Sequence, residues 1–164
     1  MPLVVEDGTI IANANSYISL ADARAFLQSI GYDLDATDSV AESQLLKSMQ
    51  AIEGMNFNGY RVGSAQSLGF PRVGIAIDGI AYESTNIPAQ LPQAQSLLAY
   101  AVHNGDDFTA TKEAAIVREK IDVLETEYKP STAKTGVSIY DLPLVMAKLS
   151  PLLTSGLSMR IGRA

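Results

Sequence analysis

The sequence contains no cysteine and no tryptophan, one histidine, His103, and only 7% aromatic residues. Without cysteine there is no disulfide framework and no thiolate metal site. Missing as well is any apolar run of the roughly 18 residues needed to cross a bilayer. The longest uncharged stretch, 84–105, is broken by Pro88, Pro92 and several amides. Residues 1–8 hold Glu6 and Asp7 but no base, so they lack the basic opening of a secretion signal, and the chain is expected to begin its life in a cytoplasm. Positive charge is also scarce. Twelve Lys and Arg against eighteen Asp and Glu leave a net charge of −6, the wrong sign for a protein whose whole surface grips phosphates.

What is present is enough for one domain: 164 residues, 47% of them apolar. A chain near that length buries roughly 70% of its unfolded surface and folds without staples. Its charge is uneven. Residues 1–60 carry eight acids and two bases, whereas from Asp141 onward one acid faces Lys148, Arg160 and Arg163. The two ends of the chain are therefore suited to different partners, or to each other in neighbouring copies.

Apolar residues recur at helical spacing in several stretches. Ser19 and Asp22 form a capping-box pattern ahead of Leu20, Ala23, Phe26, Leu27 and Ile30, with Gly31 as the stop, predicting a helix over 20–30. Asp38 or Ser39 caps a second, carrying Val40, Leu45, Leu46, Met49 and Ile52, that runs to about Gly54. Residues 56–74, with Gly59, Gly63, Gly69 and Gly74, read as a long ordered loop. Asp78-Gly79 suits a two-residue turn with positive φ and sets a short β-hairpin over 75–82. Pro88 and Pro92 sit near the start of a third, central helix with Ala94, Leu97, Leu98, Ala101 and Val102 on one side. Residues 113–128 fit helix or strand equally, and 129–136 read as loop. Asp141 caps a last helix with Pro143 in its first turn, and Leu142, Val145, Met146, Leu149 and Leu153 form its buried side. The fold class is thus mainly α with a small β component: about four helices and a hairpin in one domain. An N-terminal arm over 1–18 precedes a core over 19–153, and a basic C-terminal tail covers 154–164.

The pattern holds little chemistry. His103 stands beside Asp106 and Asp107, but a cationic group at a helix C-terminus among acids has a structural explanation. The string 131–136 contains S-x-x-K and K-T-G overlapped in one turn, whereas acylases place them on separate elements. The acids of 33–38 lack the glycine and the final glutamate of a calcium loop. No phosphate-cradling glycine motif occurs. No catalytic residue, metal ligand or cofactor is expected, and no enzyme. The remaining candidate is Tyr60, Arg61, Phe70 and Arg72, which interleave aromatics with cations as a single-strand binder does. The competing role for these aromatics is anchoring the loop to the core.

Two segments carry a resemblance: Leu3-Val4-Val5-Glu6-Asp7-Gly8-Thr9 followed by Ala12-Asn13-Ala14-Asn15-Ser16-Tyr17-Ile18-Ser19, and Leu68-Gly69-Phe70-Pro71-Arg72 ahead of the hairpin. With Ile87-Pro88 and Pro151-Leu152-Leu153 in the same order, the chain resembles, over nearly its whole length, the tailed-phage proteins catalogued as DnaT-like single-stranded-DNA-binding proteins. That family is similar to head-to-tail adaptors. It departs from the family at Phe70, where tryptophan is usual, and over 112–128. The resemblance implies a virion protein at the head–tail neck, a homo-oligomeric ring of about twelve copies. Such a ring would sit between the portal protein and a tail or neck protein, with genomic double-stranded DNA passing through without sequence-specific contacts and no membrane involved. Arg160, Ile161, Arg163 and Tyr17 are the candidate partner contacts, since arm and tail lack the periodicity of a self-contained core. The alternative is a single-stranded-DNA-binding protein using Tyr60, Arg61, Phe70 and Arg72.

Overall fold

The computed structural model describes residues 2–106, 108 and 138–154. Within them four helices run in chain order: α1 (Leu20–Ser29), α2 (Asp38–Glu53), α3 (Gln90–His103) and α4 (Pro143–Leu149). Two antiparallel strand pairs lie between α2 and α3: β1 (Tyr60–Arg61) with β2 (Arg72–Val73), and β3 (Ala76–Ile77) with β4 (Ile80–Ala81). Short 3₁₀ turns at Ile139–Asp141 and Ser150–Leu152 flank α4. The expected 113–128 segment, the 131–136 string and the tail residues Arg160, Ile161 and Arg163 lie outside the described residues.

α3 is the central helix, packed against α1, α2 and α4. Leu91, Ala94, Leu98 and Ala99 have no exposed surface, and each fully buried leucine contributes about 1.5–3 kcal/mol relative to an exposed one. Pro92 falls in its first turn, where the missing N–H has no helical partner to lose. One polar side chain is buried with the apolar ones. Gln95 is fully buried; its Oε1 accepts from Tyr17 N at 2.8 Å, and its Nε2 donates to Ser16 Oγ at 2.9 Å and Leu45 O at 3.0 Å. This amide ties the N-terminal segment and α2 to α3.

Several local expectations shift by a turn. Ser19 does cap α1, its hydroxyl accepting from Asp22 N at 3.1 Å, and Gly31 follows with φ +81°. Ile30, expected on the buried stripe, lies past the helix end and is 45% exposed, because the chain breaks before its side chain can turn inward. Val40 is exposed as well. α2 begins after Thr37 rather than being capped by Asp38 or Ser39, and Asp38 instead pairs with Arg24 at 2.7 Å. Asp141 caps no α-helix: its carboxylate accepts from Ser138 N at 3.3 Å and closes a capping box on the preceding 3₁₀ turn, leaving Leu142 before Pro143. The hairpin turn is as expected, with Asp78 at φ 53° and Gly79 at φ 79°.

Residues 2–18 lie against the helices. Their path is organised by Glu6, 2% exposed, whose carboxylate accepts from Gly8 N at 2.9 Å, Ile10 N at 3.0 Å and Ile11 N at 2.9 Å. Gly8, at φ +106°, packs so closely that an added Cβ would stand 1.9 Å from Thr85 O.

Candidate functional site

The candidate residues gather around the 54–74 segment, but not as one surface. Phe70 is fully buried, edge-on to Phe57 at 5.0 Å and to Tyr17 at 6.4 Å. It is a core anchor and cannot stack on a base. Arg72 is committed to the backbone of the same segment. Its Nε donates to Asn58 O at 2.7 Å, Nη1 to Gly69 O at 3.3 Å, and Nη2 to Phe57 O at 3.3 Å and Gly59 O at 2.7 Å. Its guanidinium also stands 5.9 Å from the Phe57 ring centroid. A loop without regular ladders leaves carbonyls unpaired, and a planar guanidinium with five donors collects several of them at once.

Tyr17, expected as a partner contact, is corrected by its burial at 4% exposure. Its hydroxyl donates to Glu53 Oε1 and accepts from Phe70 N at 3.1 Å. Glu53 Oε2 accepts from Gly69 N at 2.7 Å. Burial and the adjacent Glu53 carboxylate push the Tyr17 hydroxyl well above its ordinary pKa. The two segments that carried the resemblance therefore meet in space: Tyr17 from the first binds Phe70 N of the second directly and Gly69 N through Glu53 of α2. These strings encode how the loop is held.

What remains accessible is Tyr60, 80% exposed, and Arg61, whose side chain is 50% exposed and stands 4.0 Å from Glu53. Tyr60 is paired with Val73 and Arg61 with Arg72 across the strands. In an antiparallel pair, opposed residues share a face. One face thus offers Tyr60 and half-exposed Val73, the other two guanidinium groups. Of the four expected nucleic-acid contacts, the fold leaves Tyr60 and Arg61 free to reach a ligand and takes Phe70 and most of Arg72 for itself.

His103 is exposed at the end of α3, with its Nδ1 3.2 Å from Gln44 Nε2. Its expected acidic neighbour Asp107 lies outside the described residues. Among the described residues no group of three His, Asp or Glu is placed to hold a metal ion, and no helix is long and apolar enough to cross a membrane. Sequence reasoning passed over Glu6, Glu53, Gln66 and Gln95, the buried or half-buried polar side chains that organise the loops. For Gln95 the sequence offered no separate signal, since Gln90 and Gln93 stand in the same helix. For Glu53, at the end of a helix otherwise read as amphipathic, there was none.

Compared with known proteins, residues 1–164 match the family model described as "Putative DnaT-like ssDNA binding protein". No curated protein and no solved structure matches.

Proposed function

The chain belongs to this DnaT-like ssDNA-binding family, and from that membership we propose that it binds single-stranded DNA around β1, with Tyr60 stacking on a base on one face and Arg61 meeting a phosphate on the other. The observation that carries the reading is the exposure of Tyr60, 80%, beside a half-exposed guanidinium in a chain whose other expected ring, Phe70, is fully buried. Successive strand residues point to opposite faces, so a single strand wrapping β1 meets an aromatic on one side and a cation on the other, the two contacts of a sequence-tolerant single-strand site. The net charge of −6 confines binding to such a patch. Fluorescence anisotropy of a labelled oligothymidylate at low salt tests it. Tyr60→Ala should weaken binding by about 5- to 100-fold, the worth of one stacked base, and Arg61→Ala should weaken it and flatten its salt dependence. Absence of binding by the native chain at low salt overturns the reading.

A second reading is a structural one: a non-enzymatic head-to-tail adaptor of the virion, a ring of about twelve copies between portal and tail proteins around the DNA channel. The observation favouring it is the half-exposed Val62 and Val73 close to Tyr60, apolar surface of the kind that subunit contacts bury, on an acidic protein that would repel passing duplex. Light scattering separates the two. A ring-sized mass, alone or on adding portal protein, with no change on adding oligonucleotide, favours the adaptor; a monomer that gains mass with single strands favours the binder.

A further inference from the structure

Behind the strand pair lies an open groove of about 460 Å³ lined by Met55, Asn56, Phe57, Arg72 and Thr154. Its two banks are the segment after α2 and the segment after α4, joined where Thr154 N donates to Asn56 O at 2.9 Å and Phe57 bridges Leu153. Asn58 Nδ2 donates to Leu153 O at 2.8 Å and holds the same seam.

Arg72 brings a charge to this groove, and among the described residues no carboxylate forms an ion pair with it. Its hydrogen-bond partners are the four carbonyl oxygens of Phe57, Asn58, Gly59 and Gly69. Dipoles of that kind solvate a cation without cancelling its charge. Glu53, which acts on Arg72 from nearby, already accepts from Tyr17 and Gly69, and it also faces Arg61 at 4.0 Å. Burial, and after it the neighbouring Arg61 guanidinium, lower the Arg72 pKa from its ordinary value, while Tyr17 and Glu53 act in the opposite direction. Among the described residues, two guanidinium groups stand here against the one carboxylate of Glu53, on a chain of net charge −6. The four backbone contacts also leave one of the five guanidinium N–H donors unused.

We propose that this groove is an anion subsite that takes a phosphate group, with Arg72 as its charge partner and Asn56 and Thr154 at its rim. The inference rests on the single-strand reading, in which the groove holds a backbone phosphate next to the one met by Arg61. Free phosphate carries the same chemistry and is the first probe.

Inorganic phosphate is titrated into the full chain and followed by the Arg72 Nε–H and backbone amide resonances. Saturable shifts at Arg72 Nε–H and at the Asn56, Phe57 and Thr154 amides are expected, abolished in Thr154→Glu and retained in Thr154→Gln. Thr154 is exposed and outside the core, so both variants should fold, and the second controls for the change of side chain. No saturable shift, or equal shifts in Thr154→Glu, overturns the subsite. An oligothymidylate then separates the sources. Affinity lost in Thr154→Glu supports a nucleic-acid phosphate in the groove. Phosphate binding without any oligonucleotide binding keeps the subsite and overturns the single-strand reading. Oligonucleotide binding that needs Tyr60 and Arg61 but is unchanged in Thr154→Glu, with no phosphate shift, overturns the subsite alone.

Discussion

Tyr17, Glu53 and Arg72 show how a few polar side chains fix a segment that has almost no regular structure. In Tyr17→Phe the ring stays in place, but Phe70 N loses its acceptor and Glu53 loses a donor. A cost of about 1–3 kcal/mol is expected from urea unfolding near neutral pH. The same residue predicts an alkaline instability. Because the folded protein holds the Tyr17 proton above its free value of 10.0 while the unfolded chain releases it, this contribution is intact below about pH 10 and falls as pH rises beyond it. Comparing unfolding at two pH values on either side of that point should show a steeper loss in the native chain than in Tyr17→Phe. Arg72→Met keeps the aliphatic stem and removes the donors to four carbonyls, and should cost about 3 kcal/mol by the same measurement. Were Arg72 a ligand contact alone, its removal would leave stability unchanged.

Strands of two residues do not stand by themselves, so the elements between α2 and α3 depend on their side-chain ties and on where backbones touch. Gly59, at φ +70°, lies against the partner strand, and an added Cβ would stand 2.3 Å from Val73 O. Gly59→Ala should therefore push β2 away and lower stability by about 2 kcal/mol or more. Gly79, at φ +79°, has nothing within 4 Å of such a Cβ, and Gly79→Ala should cost only the backbone strain of about 1 kcal/mol. Thermal melts of the pair separate steric contact from conformational strain. The contrast also explains what was legible. The β3–β4 hairpin announces itself because Asp78-Gly79 joins its strands locally. The β1–β2 pair, read as loop, joins residues on either side of the 62–71 excursion, and two-residue strands carry no alternation to detect. Helices were readable because their buried faces repeat over many residues. Ends marked by a local signal, Ser19, Gly31 and Gly54, were readable too, whereas the starts of α2 after Thr37 and of α4 after Leu142 were not.

Across the whole molecule, the acidity of the first 60 residues is less of a surface property than the composition implies. Glu6 is inside, solvated by backbone amides, and Glu53 is engaged by Tyr17 and Gly69; Asp7, Asp22, Asp33 and Asp38 remain on the outside. Among the described residues, Arg61 and Arg72 form a cationic pair across β1 and β2. Oligonucleotide affinity should therefore fall with salt at a log–log slope of about −0.7 if Arg61 alone meets a phosphate, and about −1.4 if Arg72 does too, the values for one and two single-strand phosphate contacts. A much steeper slope would place binding on other cations of the chain. No slope, with a ring-sized particle in light scattering, would direct attention to the adaptor reading.

By itself the sequence determined the helical class, the order of the helices, the hairpin at Asp78-Gly79 and the family resemblance, because each is written in local spacing or in short strings. Only the tertiary structure decided what those strings do. Tyr17 and Phe70 are far apart in sequence and meet directly, beside Glu53, and the choice between a ring exposed to a ligand and a ring buried in the core is made by that meeting. An Arg beside an aromatic reads the same in either role. Its function depends on whether the nearest carbonyls belong to its own loop, and chain spacing carries no record of that distance.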